Sequence, residues 1–173
     1  GEVIIEGVVT NSADVEQKKV IITTGNSLET NADKIRTSGE ITNAGTLIYT
    51  GGTNNNVILG AGILNVEDAL VNKKNISQST ININSGMFTN EDTAMINADI
   101  NIGSAAGLTT NASNISPVGV ITINNEGELI FTGGTNTNVI SGAGDLLIEG
   151  EVTNANGTAS LDRKSGSAGM PRP

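Results

Sequence analysis

The sequence predicts an all-β fold: a single-stranded parallel β-helix, or β-solenoid, of about eight coils of roughly 20 residues each. Three observations predict it. Gly45 to Asn72 reads GTLIYTGGTNNNVILGAGILNVEDALVN, and 82 residues later Gly127 to Asn154 reads GELIFTGGTNTNVISGAGDLLIEGEVTN, with 17 of 28 aligned positions identical. Short runs alternate apolar and polar residues, as in Val20/Ile22, Ile81/Ile83, Ile100/Ile102 and Ile121/Ile123. Gly, Asn, Asp and Ser separate these runs, and extended helical periodicity is absent. A period of two with β-branched residues makes a half-buried strand. An internal repeat means that neighbouring units bury each other's apolar side.

The strands follow in order along the chain. Val3 and Ile5 match Leu64 and Val66, which match Leu146 and Ile148. Glu6, Glu67 and Glu149 come next, then Asn11, Asn72 and Asn154. The intervening Ile4, Asn65 and Leu147 vary in polarity, which assigns them outward. Taking one inward residue per unit gives Val3, Val20, Ile41, Leu64, Ile81, Ile100, Ile121 and Leu146. These are expected to stack in one row, with a mean spacing near 20 residues. On this count the two copies differ by a whole unit. Ile83 and Ile148 are expected inside. A β-sandwich is the competing fold, since it also uses short strands and Gly-rich turns.

The corners carry their own signal. Thr50-Gly-Gly-Thr-Asn54, Thr132-Gly-Gly-Thr-Asn136, Asn43-Ala-Gly45 and Ser85-Gly86 supply residues that tolerate tight turns. Asn11, Asn43, Asn72, Asn90, Asn111 and Asn154 sit at or near turns, where stacked amides are expected to hydrogen-bond along the rod. The pattern stops near Thr158. Residues 1–157 are read as the solenoid, and residues 158–173 as a linker, a disordered tail or an expression remnant.

Composition narrows the function classes. The formal charge is −9, which disfavours nucleic acid and insertion into or docking on anionic membranes. Neither His nor Cys occurs, so Ser–His catalysis, disulfides and the usual zinc ligands are excluded. Aromatic residues are 2% of the chain, which predicts a thin core of Ile, Val and Leu. Asp14, Asp33, Asp68, Asp92, Asp99 and Asp145 fall at scattered places in the unit, so no carboxylate pair for glycoside hydrolysis is assigned. Gly142-Ala-Gly144-Asp145 lacks the nine-residue recurrence of a calcium roll, and Thr135-Asn-Thr137 lacks the once-per-coil recurrence of an ice-binding row. Asn75, Asn111, Asn114 and Asn156 begin N-x-S/T triplets of the kind expected by chance here. No catalytic, cofactor-binding or metal-binding residues are assigned, and no cofactor is expected.

The stretches Thr132 to Asn154, Ile41 to Asn54 and Ile121 to Asn136 resemble the repeats of autotransporter and filamentous-haemagglutinin-like passenger domains. The resemblance covers most of Glu2 to Gly157 and rests on repeat grammar. It implies a right-handed coil, secretion across a Gram-negative outer membrane and extracellular or cell-surface display. The expected role is a structural or adhesive segment, a stalk or adhesin passenger, without enzymatic activity. Its partners would be host or cell-surface glycans or proteins. One alternative is a subunit that associates end to end into an extracellular filament; a lesser one is a glycan-active β-helix enzyme.

Overall fold

The computed structural model describes residues 1–116 and 122–155. It is a parallel β-solenoid of about eight coils, as the repeat predicts. The first coil holds β1 (Glu2–Ile5), β2 (Val8–Asn11) and a single bridge at Val15. The second holds β3 (Lys19–Ile22), β4 (Ser27–Thr30) and a 3-10 turn, Ala32–Lys34, leading to Ile35. The third holds β5 (Glu40–Asn43), β6 (Thr46–Tyr49) and β7 (Gly52–Asn54). The fourth holds β8 (Val57–Leu59), β9 (Ile63–Val66) and β10 (Leu70–Asn72). In the fifth and sixth coils β11 (Ile76–Ile83) and β13 (Ile96–Ile102) run through two sides, followed by β12 (Gly86–Asn90) and β14 (Ala106–Thr110). The seventh begins with a second 3-10 turn, Ala112–Asn114, and continues in β15 (Thr122–Asn125) and β16 (Glu128–Phe131). The eighth holds β17 (Gly134–Asn136), β18 (Val139–Ser141) and β19 (Asp145–Ile148), and β20 (Val152–Asn154) opens a ninth.

Every strand pairing among the described residues is parallel, and the pairings define three columns along the rod. Column one stacks Val3, Val20, Ile41, Ile58, Ile76, Ile96 and Ile115. Column two stacks Val9, Leu28, Leu47, Leu64, Ile81, Ile100, Ile123 and Ile140. Column three stacks Leu70, Phe88, Leu108, Leu129 and Leu146. These rows form one core, and most of their members are 0–2% exposed. Each coil alone is too thin to bury its apolar side, so the core exists only through stacking. Seven steps in column two span 131 residues, a mean close to 19.

The single inward row expected from the sequence is in fact drawn from all three columns. Val3, Val20 and Ile41 lie in column one, Leu64, Ile81 and Ile100 in column two, and Leu146 in column three. Ile121 lies outside the described residues, as do residues 158–173. The copies therefore do not differ by a whole unit. β6 and its copy β16 sit in columns two and three, and so do β9 and its copy β19. The 82-residue offset is four coils plus one side, or thirteen sides of about six residues. The repeating unit is one side of the coil, and the three sides are interchangeable in sequence. That is why alternation alone gave a regular series that slipped between columns.

Ile83 is fully buried, as expected, whereas Ile148 is 43% exposed. Ile148 continues the row of Thr110 and Phe131, but no strand among the described residues pairs with the far edge of β19.

Candidate functional surface

The inward polar residues hold the corners. Asn54 Nδ2 donates to Asn72 Oδ1 at 2.7 Å, Asn72 Nδ2 to Asn90 Oδ1 at 2.8 Å, and Asn90 Nδ2 to Thr110 Oγ1 at 3.2 Å. Each Asn also satisfies local backbone: Asn54 donates to the Asn56 carbonyl and accepts from the Asn56 N–H. The same circuit recurs at Asn136, which bonds Asn138 and Asn154. Asn56 and Asn138 in turn donate to the carbonyls of Ile35 and Ile115. Asn43 joins Gln78 at 2.6 Å, and Asn11 joins Thr30 at 3.1 Å. No buried side-chain nitrogen or oxygen among the described residues lacks a partner. Asn72, Asn90 and Asn154 thus form structural ladders, as the sequence predicts, whereas Asn111 caps its own 3-10 turn by accepting from the Ser113 N–H.

A second amide ladder faces outward. Asn82 Nδ2 donates to Asn65 Oδ1 at 2.9 Å, and Asn101 Nδ2 to Asn82 Oδ1 at 2.8 Å, on the outer side of column two. Asn124 follows in register with Asn101. A parallel outer row, one pleat away, carries Thr80, Asp99 and Thr122. The result is a regular polar strip with one amide per coil, spaced by about 4.8 Å. Each amide retains hydrogen-bonding capacity after its ladder bonds. Sequence reasoning marked Asn65 as outward but did not assemble the strip, because Asn65 and Asn101 follow different turns and look unrelated in the chain.

Several acidic residues are engaged in ion pairs or hydrogen bonds. Asp14 faces Lys34 at 3.0 Å and Arg36 at 3.8 Å, and the hydrogen bond from Lys34 holds its carboxyl below the usual range. Lys19, at 2.8 Å, likewise lowers that of Glu40. Asp33, Asp68 and Asp99 each accept a backbone N–H, from Thr53, Ala69 and Thr122. Among the described residues no three His, Cys, Asp or Glu side chains come together as a metal site. Two shallow surface hollows of about 350 and 330 Å³ lie beside Lys19 and Glu40 and beside Glu126, Glu128 and Asp145. Both hollows are open to solvent, and the second gathers three carboxylates at its rim. Thr135 is exposed on the outer side of β17. Asn75 is exposed, while Asn114 is buried and bonded to the Asp92 carbonyl; Asn156 lies outside the described residues.

All three aromatic rings, Tyr49, Phe88 and Phe131, are at most 1% exposed. The surface therefore offers amides, hydroxyls and carboxylates but no ring on which a sugar or base could stack. Searches of family models, curated proteins and solved structures find no match to this chain.

Proposed function

We propose that this chain is a structural and adhesive segment of a bacterial β-solenoid, secreted or displayed at a Gram-negative cell surface. The observation that carries the reading is the parallel stacking of three columns along the rod, with column two paired through eight coils and the two surface hollows open to solvent. Continuous parallel pairing and a dry aliphatic core make a stiff rod of about 38 Å from eight coils. Such a rod separates what lies at its two ends and presents its sides. The outward Asn65–Asn82–Asn101 ladder is the surface best suited to contact. Its amides would read glycan hydroxyls or protein backbone through many weak hydrogen bonds. The resemblance of Thr132 to Asn154 to passenger-domain repeats supports display outside the cell. No catalytic step is assigned to any residue.

The test is binding of the purified chain to a glycan array and to immobilised extracellular matrix proteins. The reading expects weak, multivalent retention that falls several-fold in Asn82→Ala/Asn101→Ala. Equal retention of this variant would remove the ladder as the adhesive surface. Absence of any binding would leave only the stalk role.

A further inference from the structure

We infer that the outward amide ladder of column two takes one neutral polysaccharide chain, laid along the rod axis and held by its hydroxyls. The inference rests on the adhesive reading above and narrows it to one ligand class. Asn65, Asn82 and Asn101 are joined by bonds of 2.9 and 2.8 Å, both donated toward the Asn65 end. Asn101 is exposed and the other two are half-buried. Asn82 uses one N–H on Asn65 and one lone pair on Asn101, so one N–H and one lone pair remain. A sugar hydroxyl both donates and accepts, so neighbouring hydroxyls on one ring edge answer both.

Charge fixes the ligand class. Asp99 is exposed and flanks the ladder on one side, in the row of Thr80 and Ile63. Glu67 flanks it at the next corner, where its Oε1 accepts from Asn84 at 2.7 Å. Residues 75–155 contain acidic side chains and no lysine or arginine. A sulfated, phosphorylated or uronic chain laid here meets carboxylates and no cation. An extended polypeptide fits poorly for another reason. Its same-side groups recur every two residues, about 6.6 Å, against about 4.8 Å between coils. A folded protein partner fits poorly on size. The strip between the two carboxylates is narrow and three coils deep, far less than the roughly 800 Å² per partner of a stable interface. The three aromatic side chains are buried, so sugar rings meet the amides by their edges, without stacking. Each contact is weak, and the sum grows with the number of amides that one chain spans.

Affinity electrophoresis of the full chain, in gels containing dextran, mannan or a soluble β-glucan, tests this. Dextran sulfate and gelatin are the anionic and polypeptide comparators. Asn82→Ala/Asn101→Ala is run beside the wild type, and an unchanged urea midpoint shows that it is folded. Asn101→Ala alone, at the exposed end of the ladder, repeats the test with the least disturbance. The proposal expects at least one neutral polymer to retard the wild type, independently of salt, and the retardation to fall several-fold in the double variant. Trisaccharides should compete about tenfold more weakly than the polymer. Ladder-dependent retention by dextran sulfate or gelatin, with none by the neutral polymers, overturns the ligand class and leaves the adhesive reading standing. Neutral retention that is unchanged in both variants moves the site off the ladder and overturns the assignment. Retention by no polymer overturns the proposal, and binding to matrix proteins then decides whether the adhesive reading falls with it.

Discussion

Asn54 and Asn72 lie one coil apart in column three, fully buried, with the Asn54 Nδ2 donating to Asn72 Oδ1 at 2.7 Å. Their copies Asn136 and Asn154 make the same bond at 3.1 Å, but in column one. One local circuit therefore serves two different sides of the rod. Its requirements are met within the corner and the coil directly above, so it is indifferent to which side it occupies.

Replacing Asn54 by Ala removes an acceptor for the buried Asn56 N–H and a donor to Asn72. The expected loss is about 1–3 kcal/mol, the cost of leaving buried polar groups unmade. Urea denaturation measures it; a midpoint equal to wild type would show that the ladder contributes nothing.

Tyr49 lies in column two over Thr30 and under Val66, and its copy is Phe131. Burial raises the pKa of the Tyr49 hydroxyl well above the ordinary tyrosine range. In the unfolded chain it ionises near pH 10, so from there upward the unfolded state loses a proton that the folded state keeps, and stability falls with pH. Tyr49→Phe should abolish that alkaline decline, at a neutral-pH cost of up to about 1 kcal/mol for the 3.3 Å bond to Asn54. Thermal melts from pH 8 to 11 test this, and parallel declines in both proteins would contradict it.

Buried charge separates the middle of the rod from its end. Ile83→Asp places a carboxylate among fully buried neighbours and should cost on the order of 3–5 kcal/mol. Ile148→Asp, at a position 43% exposed, should cost much less. Equal losses in denaturant titrations would mean that Ile148 is covered in solution.

Gly60 sits at φ +124°, where a Cβ would collide with the Asn43 carbonyl of the coil beneath. Gly25, at φ +80°, has open space around it. Gly25→Ala should cost about 1–2 kcal/mol from backbone conformation alone, and Gly60→Ala distinctly more, because the backbone beneath must shift. Comparing the two melting temperatures separates conformation from contact, and an equal loss would show that the coils are not closely stacked there.

The fold was legible because alternation, turn residues and the 82-residue repeat all describe local events. Val20, Ile41, Leu64 and Ile81 are inward in the sequence and inward in the structure. Their column was not legible. Each side looks like the next, and only the number of sides between two strands decides where a strand lands. Corner lengths vary, so a one-side slip is invisible to periodicity. The outward ladder was hidden for the same reason: Asn65, Asn82 and Asn101 become neighbours only once their columns are known.

Two intramolecular disulfides distinguish a column shift between the two copies from a repeat that stays in one column. Thr109 and Ile130 are in register on the outer side of column three, where β16 rests on β14. Asn101 holds the outer side of column two, beneath Asn124. In Thr109→Cys/Ile130→Cys the bond should close on mild oxidation, and Asn101→Cys/Ile130→Cys should keep both thiols free. Closure of the second pair instead of the first would put β16 in the same column as its copy β6 and contradict the rotated repeat.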